Sequence, residues 1–131
     1  MSIDINAQMQ ALPERVNADA NLQRIGRYCS VEFLLQCGDH SFYLSVDRGR
    51  LAPVLEGARR MRSWRFALRA APASWQHFWE PVPAVGYNDI FAMSRYGHLA
   101  IEGDVGPLLE HLRYLKAVLA LPRVMRAQAG A

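Results

Sequence analysis

The strongest constraint on this chain is a pair of alternating apolar stretches joined by a turn dipeptide. In residues 29–37, Cys29, Val31, Phe33, Leu35 and Cys37 share one face, and Ser30, Glu32, Leu34 and Gln36 share the other. In residues 41–47, Phe42, Leu44 and Val46 alternate with Tyr43, Ser45 and Asp47. A period of two puts successive side chains on opposite faces of a strand. Gly38-Asp39 lies between the stretches, so they read as an antiparallel hairpin with one wet face. Leu34 is the one apolar misfit on that face.

Two further strands follow. Residues 50–56 form a weaker one, and Pro53 marks it as an edge because proline has no N–H to give a ladder. In residues 62–70, Trp64, Phe66 and Leu68 oppose Ser63, Arg65, Ala67 and Arg69. The period then changes. Pro72 suits a first helical turn, and Trp75, Phe78 and Trp79 follow at i, i+3, i+4, giving an aromatic helix face that Pro81 and Pro83 end. After the 81–87 loop, Asn88 caps a helix carrying Ile90, Phe91 and Met93, which runs to Gly97. Residues 98–102 form a short strand with Leu99 and Ile101 on one face. Gly103 breaks it, and Asp104 caps a last helix ended by Pro122. The stripe of that helix is Val105, Leu108, Leu109, Leu112, Leu115, Val118 and Leu119. Ahead of the hairpin, residues 3–12 predict a short helix ended by Pro13. Residues 16–27 predict a second, capped by Asn17 or Asp19. A run of strands followed by helices is an α+β arrangement, with helices on one face of the sheet.

At 131 residues the chain has the size of one domain. Apolar residues are 51% and charged residues 21%, globular proportions that exclude a disordered tail, a fibre or a disulfide miniprotein. No apolar run approaches the ~20 residues of a membrane-spanning helix. The N-terminus lacks a basic stretch followed by an apolar one, so no secretory signal is expected. Cys29 and Cys37 on one strand are roughly 26 Å apart at ~3.3 Å per residue, too far to bond. Free thiols predict a reducing, cytoplasmic setting. Fourteen of the 15 basic residues are arginine and Lys116 is the exception, a bias read first as genome composition. The net charge of +3 is too small to imply nucleic acid. One basic cluster, Arg59, Arg60, Arg62, Arg65 and Arg69, lies in a stretch without acids. It reads as a solvated rim, or as a transient contact for an anionic membrane or an acidic protein.

Four features together resemble the sterol carrier protein 2 (lipid-transfer) family. They are the hairpin followed by Arg48-Gly49-Arg50-Leu51; the strand entering the Trp75 helix through Ala70-Ala71-Pro72-Ala73-Ser74; the helix Asn88-Asp89-Ile90-Phe91-Ala92-Met93; and Gly97-His98-Leu99-Ala100-Ile101-Glu102-Gly103-Asp104 before a Leu-rich helix. The resemblance covers about residues 25–121. It implies a five-stranded, mostly antiparallel sheet covered on one face by helices, with an apolar tunnel between them for a lipid tail, fatty acyl chain or sterol. The division is then an N-terminal helical extension (1–25), a lipid-binding domain (26–121) and a tail (122–131). The proline-rich 81–87 loop, the N-terminal 25 residues and the missing peroxisomal address point to a bacterial-type variant.

On that resemblance, the pocket-lining candidates are Phe66, Trp75, Phe78, Trp79, Tyr87, Ile90, Phe91, Met93, Leu112, Leu115 and Leu119. Plain core packing is the competing reading for each. Tyr87 and Asn88 are placed at the mouth by position. His40, His77, His98 and His111 have no metal-ligand spacing, and no metal or cofactor is expected. His98 or His111 with Glu102 or Asp104 is weighed as an acid–base pair against plain exposed polar residues. The function expected is a non-enzymatic carrier of an apolar molecule, as monomer or homodimer. One alternative is a small α+β-cone isomerase with Asp89 as base and Tyr87 or Tyr96 as oxyanion donor, against the plainer reading of Asp89 as part of the cap of its own helix. The other is an accessory protein that binds an acylated partner.

Overall fold

The structure, a computed structural model, describes residues 5–57 and 63–129. The hairpin forms as its alternation requires. β1 (Val31–Cys37) and β2 (His40–Asp47) pair from Val31↔Val46 to Cys37↔His40. The 50–56 strand forms as two pieces, β3 (Arg50–Leu51) and β4 (Leu55–Glu56), both antiparallel to β2. The break falls at Pro53, which cannot donate to β2. β5 (Phe66–Ala70) lies on the other side of β1, and β6 (Ala100–Gly103) pairs antiparallel with β5. The order is β3-β2-β1-β5-β6, with β4 also on β2. The sheet is mostly antiparallel; β1 and β5 are parallel, which a hairpin link cannot achieve and a longer crossover can.

Gly103 makes the exit from β6. Its φ is +89°, and a Cβ there would sit 2.6 Å from the Arg65 carbonyl oxygen, so the position needs glycine. Asp104 then accepts from Gly106 N at 3.0 Å and pairs with Arg65 at 2.7 Å. Both contacts hold its carboxyl below the ordinary value, the Arg65 hydrogen bond most.

The helices are α1 (Ile5–Ala18), α2 (Ala20–Ile25), α3 (Pro72–Phe78), α4 (Ile90–Arg95), α5 (Gly106–Glu110) and α6 (Leu112–Ala129). Five expectations change. α1 continues through Pro13, because burial of Met9, Leu12 and Val16 on one face outweighs the missing hydrogen bond. The second helix is shorter than 16–27 and takes Asp19 as its cap, with Oδ1 accepting from Leu22 N at 3.1 Å. Asp89 rather than Asn88 caps α4, accepting from the amides of Phe91 (2.8 Å) and Ala92 (2.9 Å). The last helix is broken at His111 into α5 and α6, which turns Val105 and Leu109 out to solvent while Leu108, Leu115, Val118 and Leu119 stay buried. α6 also passes through Pro122, so the 121/122 boundary falls inside it.

The inner face of the sheet packs Phe33, Leu35, Phe42, Leu44, Phe66 and Leu68 against the helices, and α1 contributes Met9, Leu12 and Val16 to the same core. Phe33 and Phe66, partners across β1 and β5, stack at 4.9 Å. Leu34 is no longer a misfit. With Tyr43 and Ala67 it forms a small buried cluster on the outer face, backed by Leu55 and Trp64. Beside it Arg69 bonds Gln36 and Glu102 and lies over the Trp64 ring.

Candidate functional site

α3 places two indoles between sheet and last helix. Trp75 Nε1 donates to the Gln36 carbonyl at the end of β1 (2.9 Å), and Trp79 Nε1 donates to the Leu119 carbonyl in α6 (2.7 Å). The rings stack at 5.2 Å, and each is 1% exposed. Buried indoles need such acceptors.

A cleft opens on either side of α3. The first, about 310 Å³, lies between the end of α3, the start of α4 and one face of α6. Phe78, Ile90, Ala117, Leu119 and Ala120 supply apolar wall, and Asn88, Asp89, Lys116 and Arg123 supply polar groups. The second, about 240 Å³, is lined by Ile5, Cys37, His40, Pro72, Trp75, Gln76 and Trp79. The Trp79 indole lines the second cleft and reaches Leu119 on the first. A more open depression of about 450 Å³ carries polar Ser30, Glu32, Ser45, Asp47 and Arg65 among its walls.

Of the eleven predicted lining residues, Phe78, Ile90 and Leu119 meet at the first cleft, and Trp75 and Trp79 line the second. Phe66, Met93 and Leu115 are fully buried in the core; Tyr87, Phe91 and Leu112 pack half-buried against it. Of the two mouth residues, Asn88 is at the first cleft. Tyr87 instead stacks on His98 at 4.4 Å and meets His77 at 4.9 Å.

Arg123 and Lys116 were missed. Arg123 donates Nε (3.0 Å) and Nη2 (2.6 Å) to the Phe78 carbonyl, and Nη2 also reaches the Asn88 carbonyl at 3.4 Å. Its guanidinium lies 4.9 Å from the Phe78 ring centre, and burial lowers its pKa from the ordinary value. Lys116 Nζ faces Asp89 Oδ2 at 4.0 Å. The available signal was spacing: Lys116, Leu119, Ala120 and Arg123 stand at i, i+3, i+4, i+7 on α6.

The weighed acid–base pairs do not assemble. Asp104 and Glu102 pair with Arg65 and Arg69, His98 stacks on Tyr87, and His111 is 3.9 Å from Glu110. Arg59, Arg60 and Arg62 lie outside the described residues. Cys29 and Cys37 are buried free thiols; burial, with Glu110 nearby, pushes Cys29 up to about 11, and burial also raises Cys37. No helix among the described residues is long and apolar enough to cross a membrane.

No protein-family model matches the chain, and no curated protein matches it. Solved structures do. A crystal structure of sterol carrier protein 2 is 15% identical, with TM-score 0.71, covering 89% of this chain and 94% of that one. A conserved hypothetical protein of Thermus thermophilus, described as possibly a sterol carrier protein, is 15% identical with TM-score 0.66, covering 93% and 90%. The UbiJ-SCP2 ubiquinone synthesis protein is 14% identical with TM-score 0.61, covering 95% and 97%. The chain has the sterol carrier protein 2 fold.

Proposed function

We propose that this chain is a non-enzymatic carrier that holds the apolar part of a lipid-class molecule in the cleft between α3, α4 and α6. The observation that carries the reading is an apolar wall of Phe78, Ile90, Ala117, Leu119 and Ala120 around about 310 Å³, in a fold shared with sterol carrier proteins. That volume is at the lower end of ~300–1,000 Å³ for small-molecule sites. Each buried CH₂ contributes about 0.8 kcal/mol. Asp89 serves this reading as a cap, since its Oδ1 is committed to two amides. The buried thiols Cys29 and Cys37 suit a reducing, cytoplasmic compartment.

Native mass spectrometry of freshly purified protein, paired with mass analysis of its organic extract, tests this. The expected result is a stoichiometric adduct matching an extracted lipid, or saturable uptake of an added one. A clean mass that stays clean after incubation with fatty acids and sterols contradicts it.

A further inference from the structure

We infer that the corner where the end of α2 meets the β2–β3 turn is a docking surface for an acidic segment of a protein partner. This goes beyond the carrier reading, and the corner shares no lining residue with either cleft beside α3. Backbone contacts build it. Gly49 N donates to the Cys29 carbonyl at 3.0 Å, and Gln23 Nε2 donates to the Gly49 carbonyl at 2.9 Å. A Cβ on Gly49 would fall 2.8 Å from the Gly26 backbone, so turn and helix end are in close contact. Tyr114 of α6 donates its hydroxyl to the same Gly49 carbonyl at 2.6 Å. The turn therefore brings Arg48 and Arg50 to the helix end that carries Arg24 and Arg27, and all four are exposed. No acid stands between Asp19 and Glu32 or between Asp47 and Glu56.

The four charges are uncancelled. Arg24 donates to Asn21 Oδ1 and Arg27 to the Arg24 carbonyl, both neutral acceptors. None of the four forms an ion pair among the described residues. Asp47, the one acid at the turn, accepts from Ser30 at 3.5 Å. Arg48 has φ +51° and Gly49 φ +83°. A two-residue turn of that shape suits asparagine or glycine at its first position, so arginine at 48 serves something other than the turn. Tyr28 is 78% exposed, with the Arg27 guanidinium 4.7 Å from its ring centre. Arginine and tyrosine are the types that anchor protein interfaces, and a guanidinium fork matches a carboxylate. A nucleic-acid strand needs a longer basic track than one corner bounded by Asp19, Glu32 and Asp47. A bilayer site pairs cations with protruding aliphatic chains, and residues 21–30 and 47–50 expose none.

The test is fluorescence anisotropy with a labelled peptide rich in glutamate and leucine, and with its counterpart carrying glutamine for every glutamate. The acidic peptide is expected to bind, with affinity falling about tenfold between roughly 50 and 300 mM salt, and the glutamine peptide is not. Arg48→Gly and Tyr28→Ala each weaken binding by about fivefold or more. Arg48→Gly does so without lowering Tm, because glycine accepts the turn geometry, which separates lost docking from lost folding. Arg95→Gln, on α4, binds as wild type. Equal binding of the two peptides, binding of neither, or unchanged affinity in Arg48→Gly overturns the inference. So does tighter binding of a single-stranded RNA oligonucleotide or of phosphatidylglycerol vesicles than of the acidic peptide. The carrier reading stands or falls separately, on lipid uptake.

Discussion

Trp79→Phe probes the joint between the sheet layer and α6. Trp79 is 1% exposed, stacks on Trp75 at 5.2 Å, and sends its Nε1–H 2.7 Å to the Leu119 carbonyl. Phenylalanine keeps an aromatic ring but has no donor. Removing one partner of a buried hydrogen bond costs about 1–3 kcal/mol. The smaller ring also leaves unfilled space beside Trp75, which adds about 1 kcal/mol. The expected loss is about 3 kcal/mol, and for a chain of this size a fall in Tm of roughly 10 °C. Urea unfolding followed by far-ultraviolet circular dichroism measures it without relying on the altered tryptophan signal. Because the indole stands between the two clefts, Trp79→Ala is also expected to join them and to improve binding of longer acyl chains, at a stability cost of about 3–5 kcal/mol. If Trp79→Phe unfolds within about 0.5 kcal/mol of wild type, the argument that this bond ties α3 to α6 is wrong.

Asp89→Ala should lose about 1 kcal/mol, the worth of a helix cap, with uptake of the lipid found on the wild-type protein retained; the checks are urea denaturation and native mass spectrometry. Gly26→Ala should destabilise by about 1–3 kcal/mol, since the new Cβ would fall 2.3 Å from the Tyr114 ring, and thermal unfolding reads the loss. Stability should fall as pH rises above 9. Cys29 has its folded pKa pushed from 9.0 up to about 11, so the native state holds a proton that the unfolded state releases. Tyr114 is raised above 10.0 by burial and acts in the same direction. The contribution is complete below about pH 9 and is lost through pH 11; a series of Tm values from pH 7 to 10.5 checks the sign.

The hairpin was legible because its two faces differ, and a one-residue slip would bury Glu32 and Gln36 while exposing Phe33 and Leu35. The aromatic helix was legible for the same reason at a period of 3.6. Proline misled twice. At Pro13 and Pro122 the local rule stops a helix, yet α1 and α6 continue because of what their faces bury, which a local pattern does not contain. The break at His111 carries no proline or glycine, so one uninterrupted stripe was read where two helices meet at an angle and expose Leu109. The site was half legible. Phe78, Ile90 and Leu119 were named for their apolarity, but apolar residues of the core and of a cleft wall look alike in sequence. Lys116 and Arg123 were passed over because surface cations are common, and only the packing of α6 against Phe78 and Ile90 turns those two into a cleft.

The central claim is that an apolar chain lies in the cleft between α3, α4 and α6. Methyl-resonance NMR during titration with a fatty acid and, separately, with a sterol tests it most directly. The account predicts saturable shifts concentrated at Ile90, Ala117, Leu119 and Ala120, with Leu34 and Leu55 on the outer face of the sheet unmoved. Shifts confined to the outer-face residues, or none at saturating ligand, would contradict it.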